Sequence, residues 1–387
     1  MRDHEQLPFP LTEYQARLDR VRTRMEEAGV VAFLTTTPEN ITYLTGFESP
    51  GHYWWQGMLV PLYGEPTTLS RLLEVAGMDA LSWVEPDANL AYRDDQEPME
   101  ELAGLLTSMG LDRGRVGYER DGWFFTAAQI DRVFTLMPDT EWVDASGLVE
   151  ECRLIKSDLE IERIGMAART TEAGMRAGIE AVRAGVNEDE VAAELLAALI
   201  RAGSEWPSIV PFIASGERGA IGHATWNHRE LVPGDSVFLE VAGCRSRYHA
   251  PMMRTVMVGE PDLAMLQAYE AVQAAFSAAL SAIKPGVVAS DVDQLARQVI
   301  AEYGFGGNQA SRVAYSVGIA VPPDWGEGHI LSMKPNEGRV LEQNMTFHLL
   351  PWVQLAGRGG MGITDTIRVT ADGAERITDF SRELFVR

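Results

Sequence analysis

The second half of the chain carries histidines and carboxylates of the kind that transfer protons or attack electrophilic carbon. They are His223, Glu240, His249, Asp324, Glu327, His348 and Asp365. Glu240 is the most informative, because it is the lone carboxylate in the apolar segment 236–243. A buried, unpaired carboxylate is costly, which favours a functional role for Glu240. Strand alternation that points Glu240 to solvent is the simpler alternative.

Two loops and one aromatic cluster present further candidates. His223 lies among small residues, where a histidine that only packs and forms hydrogen bonds is the common case. The segment 322–327, Pro-Pro-Asp-Trp-Gly-Glu, is conformationally restricted by its prolines. It is either a surface turn or a stiff wall that presents Trp325 and a carboxylate to a ligand. The cluster 53–55 is either core packing or part of a cage for a small cation.

Several common active-site motifs are absent from the sequence. There is no phosphate-binding Gly-rich loop, no G-x-S-x-G nucleophile elbow and no H-E-x-x-H metal pair. Only two cysteines, Cys152 and Cys244, are present, which excludes a disulfide framework and a thiolate zinc site. These absences leave chemistry by carboxylates and histidines.

Composition narrows the range of partners. The 387 residues include 56 Asp and Glu against 33 Lys and Arg, a net charge of −23, and only three of the basic residues are lysines. Such a charge disfavours nucleic-acid binding. No run of 18 apolar residues indicates a membrane span, and the N-terminus lacks a signal-peptide pattern. We therefore expect a cytoplasmic protein that binds neither nucleic acid nor membrane.

The elements of the first half alternate between helix and strand. Helical periodicity over 11–29 leads into an apolar strand at 30–34, and another strand is predicted at 58–62. Helices are predicted at 99–109 and 126–137. This alternation predicts an α/β domain over residues 1–152.

The second half repeats one pattern after about 101 residues. Ser157 and Glu160 form a capping box that opens a long helix, and Asn187 caps a second one. An equivalent pair follows, its second helix opened by Ser290. Extended segments follow each pair, at 207–213 and 235–258, then at 311–320 and 345–371. We interpret residues 153–387 as a duplicated helix–helix–sheet domain with its site between the halves.

The whole chain resembles the creatinase/aminopeptidase P superfamily. The segment 37–47, Thr-Pro-Glu-Asn-Ile-Thr-Tyr-Leu-Thr-Gly-Phe, looks like the signature of that family's first domain, and 153–157 looks like its hinge. The duplicated unit fits its C-terminal domain. The resemblance implies an α/β N-terminal domain followed by an α+β pita-bread catalytic domain.

Five positions distinguish this chain from the metal-dependent members of that family. Where those members place Asp, Asp, His, Glu and Glu around two metal ions, this sequence has Glu240, Pro251, Tyr315, Leu350 and Thr364. Proline and leucine side chains cannot bind a metal, and one carboxylate cannot bridge two ions. The resemblance therefore implies a metal-free protein without a cofactor, and it argues against a metal-dependent Xaa-Pro peptidase.

Among metal-free members, the sequence resembles ectoine hydrolases more than creatinases. Shared stretches are 238–244, 247–249, 254–255, 322–327 and 345–348. The two glutamates with which creatinases bind a guanidinium are replaced by Met253 and Thr364. The resemblance implies ectoine or a close relative as substrate, and the lack of a glutamate expected near Gly362 favours a relative over ectoine itself.

The resemblance implies ring opening of a small cyclic amidine to an N-acetylated diamino acid. Glu240 and His223 are the expected catalytic residues, Glu240 holding the cation and attacking or activating water, and His223 shuttling a proton. Arg245 or Arg247 is expected to bind a substrate carboxylate. The expected substrate-binding residues are Tyr315, His348, Trp325, Asp324, Glu327, Asp365, Trp226, Tyr248, His249, Trp55 and Phe47.

The resemblance also implies two partners, and two alternative functions remain open. The resemblance implies a homodimer in which Phe47 and the cluster 53–55 reach across to the other chain's site, and a deacetylase that consumes the product. One alternative is a creatinase-type amidinohydrolase acting on a linear guanidino compound. Another is an Xaa-Pro dipeptidase-like protein without peptidase activity, retained as a binding module.

Overall fold

The computed structural model describes residues 1–307 and 311–387. The chain forms two compact units, Met1–Arg153 and Leu154–Arg387. The division falls one residue after the boundary expected from the hinge sequence. In the described ranges, none of the helices combines the length and apolar content that a membrane span requires.

The first unit alternates helices and strands, as its periodicity predicts. Its helices are α1 (Leu11–Ala28), α2 (Pro38–Thr45), α3 (Leu72–Leu81), α4 (Pro98–Ser108) and α5 (Ala127–Leu136), and α6 (Glu150–Leu154) ends at the first residue of the second unit. Its strands are β1 (Ala32–Thr35), β2 (Gly57–Pro61), β3 (Thr67–Arg71), β4 (Asn89–Tyr92), β5 (Arg115–Tyr118) and β6 (Glu141–Asp144). They form one mixed sheet in the order β4-β3-β2-β1-β5-β6.

The second unit contains two helix pairs and a large, mostly antiparallel sheet. Its helices are α7 (Asp158–Ala181), α8 (Glu188–Arg201), α9 (Leu263–Ala282) and α10 (Ala289–Glu302). Its strands are β7 (Phe212–Ser215), β8 (Ser236–Arg245), β9 (Tyr248–Met257), β10 (Ala314–Ser316), β11 (Ser332–Met333), β12 (Thr346–Leu349), β13 (Trp352–Leu355), β14 (Gly359–Val369), β15 (Ala374–Arg376) and β16 (Phe385–Val386). The sheet runs β11-β10-β12-β14-β9-β8-β7.

The duplicated pattern is visible in the helix ends. Gly185 and Gly286, 101 residues apart, follow the first helix of each pair with φ of 82° and 89°. Glycine is required there because other residues seldom adopt a left-handed backbone. The capping box of Ser157 and Glu160 is present at the start of α7. The cap predicted at Ser290 is wrong: α10 begins at Ala289 after Val288, which donates no side-chain cap.

The antiparallel register brings residues from distant parts of the sequence onto one face of the sheet. Glu240 in β8 lies opposite Phe212 in β7 and Met253 in β9. Met253 is in turn opposite Thr364 in β14. Tyr315 in β10 is opposite His348 in β12. Residues directly opposite each other share a face of the sheet, so the fold itself assembles the candidate site.

Candidate active site

Glu240 is a buried carboxylate inside β8. Its exposed fraction is 7%, so the alternative that strand alternation points it to solvent is wrong. Among the described residues its carboxylate accepts no hydrogen bond, and the nearest basic atom is the Nδ1 of His348 at 3.9 Å. Burial, and secondarily the negative charge of Asp324, raise the pKa of Glu240 to about 8. The free protein therefore holds Glu240 largely protonated at neutral pH.

His348 does not supply a counter-charge to Glu240. Burial, with the positive charges of Arg312 and Arg254, lowers the pKa of His348 to about 3. The ring is consequently neutral, and its approach to Glu240 is a contact between two neutral groups at neutral pH. In the described part of the chain, no full positive charge therefore lies next to Glu240.

A buried hydrogen-bond network surrounds His348. Its Nδ1 lies 2.9 Å from the hydroxyl of Tyr315, and its Nε2 contacts the hydroxyl of Thr364. The indole N–H of Trp325 donates to the Tyr315 hydroxyl at 2.7 Å, and the backbone N–H of Met253 donates to the Thr364 hydroxyl at 2.9 Å. Burial raises the pKa of Tyr315 well above its usual range, so its hydroxyl keeps its proton.

The donors in this network select one tautomer of His348. If Nδ1 carries the proton, it donates to Tyr315, and Nε2 accepts from the Thr364 hydroxyl. If Nε2 carries the proton, the Thr364 hydroxyl has no acceptor among the described residues, which costs free energy in a buried site. In the favoured arrangement the Tyr315 oxygen accepts twice, from His348 and Trp325. Its own proton is then free for a ligand or for Glu240.

An apolar wall encloses this polar centre. Phe238 and Ala242 share the Glu240 face of β8, since alternate residues of a strand point to the same side. They pack in one buried cluster with Phe212, Met253, Tyr315, Val317, Trp325, Leu350 and Trp352. The cluster limits the access of water and strengthens electrostatic interactions at Glu240.

His223 lies at the edge of this wall and is exposed. Its ring stacks on Phe212, with 4.9 Å between the centroids, and Phe212 is the residue opposite Glu240 in the sheet. The backbone of His223 is left-handed, with φ of 66°. Among the described residues its ring forms no hydrogen bond, so both nitrogens are available to a ligand.

The loop 322–327 presents one side chain to the network and one carboxylate to solvent. Trp325 is 3% exposed and contacts both Tyr315 and Phe212. Asp324 is exposed, and its Oδ1 accepts a hydrogen bond from the N–H of Gly326. Its negative charge is close enough to affect the pKa of Glu240 and of Tyr315. Trp325 therefore lies beside the network and Asp324 faces solvent, while their contact with a ligand stays a prediction.

Two predicted carboxylates are instead part of buried ion pairs. Glu327 accepts from the ammonium of Lys156 at 2.7 Å, and both side chains are 1% exposed. Asp365 accepts from Arg254 at 2.9 Å and from Arg376 at 3.2 Å. The prediction that these carboxylates contact substrate is not supported, because each is already neutralised by a cation within the fold.

Tyr248, His249 and Trp226 are also directed elsewhere. The Tyr248 hydroxyl donates to the capping residue Glu160 at 2.8 Å. His249 Nε2 accepts from a backbone N–H and Nδ1 bonds a backbone carbonyl, and burial holds its pKa well below the usual range. Trp226 packs on the apolar cluster formed by α7, α8 and the β8 residues that alternate with Glu240. These three residues maintain the fold around the site.

Phe47 and Trp55 belong to the first unit, where both are buried. Trp55 packs in that unit's core against Tyr92 and Phe125. The prediction that this pair reaches into another chain's site is therefore not supported, because the apolar surface is already buried within its own unit. Of the cluster 53–55, Tyr53 is 74% and Trp54 44% exposed.

The arginines predicted to bind a carboxylate are committed to the fold. Arg247 is fully buried, donates to the carbonyls of Trp206 and Ala320, and stacks on the Trp206 ring. Arg245 donates to the carbonyl of Gly203. Arg312, which sequence reasoning missed, lies over the ring of Tyr315 beside the network. Because the chain has 30 arginines, its composition does not indicate which of them lies near the site.

The residues present do not fit a dinuclear metal centre. Pro251 and Leu350 offer no side-chain donor, and the hydroxyls of Tyr315 and Thr364 are hydrogen-bonded to His348. Over residues 1–307 and 311–387, no three His, Cys, Asp or Glu side chains are close enough to hold a metal ion. The chemistry of the site is accordingly derived from its side chains alone.

Comparison with known proteins identifies the families that the two parts of the chain match. Metallopeptidase family M24 matches residues 162–371, and the creatinase/prolidase N-terminal domain matches residues 17–155. An ectoine hydrolase from Halomonas elongata is 34% identical over 98% of this chain and 99% of its own length. A Xaa-Pro dipeptidase from Pyrococcus furiosus is 31% identical over 63% of this chain and 68% of its own length.

The structural neighbours share the whole fold. The crystal structure of dipeptidase PepE from Mycobacterium ulcerans aligns with a TM-score of 0.84 and 25% identity, over 98% of this chain and 99% of that one. The match extends over both units. Hydrolases with peptide and with non-peptide substrates therefore occur among the relatives, and the residues of the site have to distinguish them.

Proposed function

The chain belongs to metallopeptidase family M24, with a creatinase/prolidase N-terminal domain, and on that premise we propose a metal-independent hydrolase of non-peptide C–N bonds. Its substrate is a small cyclic amidine, ectoine or a close relative. The observation that carries this proposal is Glu240: a buried carboxylate without a hydrogen bond or cation among the described residues. Such a group binds a cation that arrives with the substrate.

Binding of an amidinium supplies the charge that Glu240 lacks. A cation within about 4–6 Å favours the ionised carboxylate, so the pKa of Glu240 falls and its proton is released. The aromatic faces of the surrounding cluster favour the same cation. The ionised Glu240 then faces the central carbon of the N–C–N group, where the positive charge is concentrated.

Ring opening follows in balanced steps. Glu240, or a water molecule that it deprotonates, forms a C–O bond to the amidine carbon and gives a tetrahedral centre. Tyr315 donates its free proton in a hydrogen bond to that centre. His223 gives a proton to the departing nitrogen, and one C–N bond breaks. If water attacks, its oxygen becomes the amide oxygen. If Glu240 attacks, a water molecule then adds to the same carbon, the C–O bond to Glu240 breaks, and the carboxylate is regenerated. The net reaction adds one water and yields an amide and an amine, which is an N-acetylated diamino acid when the substrate is ectoine.

Incubation of the purified protein with ectoine tests the proposal. We expect a ring-opened product one water heavier by mass spectrometry, and no loss of rate after dialysis against EDTA. A metal content near one or two ions per chain, with activity lost on chelation, would contradict it. Hydrolysis of a Xaa-Pro dipeptide but not of ectoine would indicate that the protein is a peptidase. Ligand-induced thermal shifts without any product would indicate a binding module.

A creatinase-type reaction is the second candidate, and Asp324 is the observation that favours it. A linear guanidinium is held by two carboxylates, and Asp324 is the second one near Glu240. Met253 and Thr364, at the positions where creatinases carry glutamates, bond each other instead. Release of urea from creatine, measured beside ring opening of ectoine, separates the two candidates.

We also propose a homodimer and a downstream deacetylase. The exposed aromatic side chains of Tyr53 and Trp54 support a contact of the first unit with another chain. Light scattering of the purified protein tests the dimer. A deacetylase would be needed because the proposed product retains an N-acetyl group.

A further inference from the structure

The proposed substrate carries a carboxylate as well as an amidinium, so the site needs a cation that the fold has not used. The candidates near the centre are Arg247, Arg254 and Lys156. Arg254 is paired with Asp365 and Lys156 with Glu327, and both pairs are buried. Arg247 is buried on backbone carbonyls. None of these three can turn toward a ligand without breaking the fold around it.

Arg312 differs from all of them. Among the described residues its guanidinium forms no hydrogen bond and no ion pair. It is half-buried and lies over the ring of Tyr315, 4.5 Å from the centroid. A Cβ added to Gly328 would be 2.7 Å from its Nη2, so the guanidinium also lies against the backbone at that glycine. The side chain is thus positioned by a ring and a backbone, and no residue in 1–307 or 311–387 uses any of its five donors.

Tyr315 connects this guanidinium to the reacting centre. Its ring lies below Arg312. Its hydroxyl is 2.9 Å from the Nδ1 of His348, and the same nitrogen is 3.9 Å from the carboxylate of Glu240. The guanidinium of Arg312 and the buried carboxylate of Glu240 therefore lie on either side of a single tyrosine, with the exposed carboxylate of Asp324 also nearby. A cation and a buried carboxylate so arranged suit the two charges of a small zwitterion. An arginine is suited to the anionic end, because its planar fork binds a carboxylate through two parallel hydrogen bonds.

We propose that Arg312 binds the carboxylate of the zwitterionic substrate whose cation faces Glu240. This inference rests on the proposed function and adds a requirement to it. The site selects cyclic amidines that carry a carboxylate on the ring, and neutral or purely cationic amidines bind without this contact. Arg312 acts on binding and positioning, while the bond-breaking steps belong to Glu240, Tyr315 and His223.

Two ring compounds test the assignment. Ectoine carries the carboxylate, and 2-methyl-1,4,5,6-tetrahydropyrimidine is the same ring without it. For Arg312→Gln we expect KM for ectoine to rise roughly 10- to 100-fold, as for the loss of a charge-assisted pair. KM for the parent ring should stay within about twofold. Arg312→Lys should fall between, because a lysine keeps the charge without the fork.

A second variant perturbs the geometry without removing the charge. Gly328→Ala pushes the guanidinium away from its place over Tyr315, because the added methyl would be 2.7 Å from Nη2. It should raise KM for ectoine and leave KM for the parent ring unchanged. Arg339→Gln is the matched control, since Arg339 is paired with Glu337, and both KM values should match the wild type. Circular dichroism and thermal unfolding check that each variant is folded.

The outcomes separate this inference from the proposed function. Equal losses for both rings in Arg312→Gln, or no loss for either, would overturn the role of Arg312 while ring opening stands. If the wild type opens neither ring, calorimetric Kd values for the same two compounds replace KM. An Arg312-dependent preference for ectoine then supports the carboxylate contact although the proposed reaction fails. Absence of that preference overturns both.

Discussion

Replacement of Glu240 by glutamine measures how much free energy of unfolding the protein loses when it keeps an ionisable carboxylate in a buried site. Burial raises the pKa of Glu240 from 4.5 to about 8. Because the folded protein holds the proton more tightly than the unfolded chain, the stability from this group is present below pH 4.5 and is lost as the pH rises through about 8. The difference in pKa corresponds to roughly 5 kcal/mol at most.

Glutamine has nearly the same shape and never ionises, so the two proteins should diverge with pH. We expect similar free energies of unfolding near about pH 5, and a variant more stable by roughly 3–5 kcal/mol near about pH 9. From about pH 5 to about pH 8 the difference should grow by about 1.4 kcal/mol per pH unit, and it should level off above that range. Urea unfolding of both proteins across this range measures the slope. Turnover by the variant should be abolished at every pH.

A second buried glutamate provides the matched control. Glu188 is fully buried but accepts from Arg218 at 2.7 Å and from the hydroxyl of Ser215. Glu188→Gln weakens a satisfied ion pair, so it should destabilise the protein near neutral pH by about 1–3 kcal/mol. If Glu240→Gln were destabilising by a constant amount at all pH values, Glu240 would have an unseen partner. The reasoning from its isolation would then be wrong.

The remaining predictions concern pH, the hydroxyl donor and the buried ion pair. The value of kcat/KM should rise with pH toward about 8, because the free protein must release the Glu240 proton. The value of kcat should level off at lower pH, because the bound cation favours the ionised form of Glu240. A kcat/KM that is flat from about pH 6 to about pH 9 would contradict the assignment of Glu240. Tyr315→Phe should lower kcat by about 10²-fold or more with little change in KM, measured on ectoine, and an unchanged kcat would remove Tyr315 from the reaction. Glu327→Gln should lower the free energy of unfolding by about 3–5 kcal/mol, because it leaves the buried ammonium of Lys156 without a counter-charge. A loss of activity with unchanged stability would instead place Glu327 at the substrate.

The elements of this fold are readable from the sequence because their signals are local. The capping box of Ser157 and Glu160 lies within four residues and is present as predicted. The glycines at 185 and 286 mark the repeated helix ends because a left-handed backbone requires them. Glu240 was identifiable for a related reason: one carboxylate inside an apolar strand is unusual in a window of eight residues. Each of these signals depends on neighbours along the chain.

Partners across the fold leave no such signal. Glu327 is 171 residues from Lys156, and Asp365 is 111 residues from Arg254. The sequence does not indicate which of these three carboxylates has a cation as its partner in the folded protein. The structure separates them by one property: two have a buried cation and Glu240 does not. Arg312 is distinguished in a similar way. Arg245 and Arg247, which were expected to bind a carboxylate, donate to backbone carbonyls, whereas Arg312 has no hydrogen-bond partner among the described residues.

The lack of a cation at Glu240 links the family resemblance to the choice of substrate. At two positions where the family resemblance implies metal ligands, the chain has Tyr315 and Thr364, which bond the neutral His348. This arrangement replaces charged groups with a neutral network, so nothing in the described part of the chain offsets the charge of Glu240. The pKa of Glu240 rises as a result, and its reactive form becomes favourable only when a cation binds. A dipeptide brings no cation to its scissile bond, whereas an amidine carries one on the carbon to be attacked. On the proposed function, the residues at these positions therefore favour an amidine over a peptide.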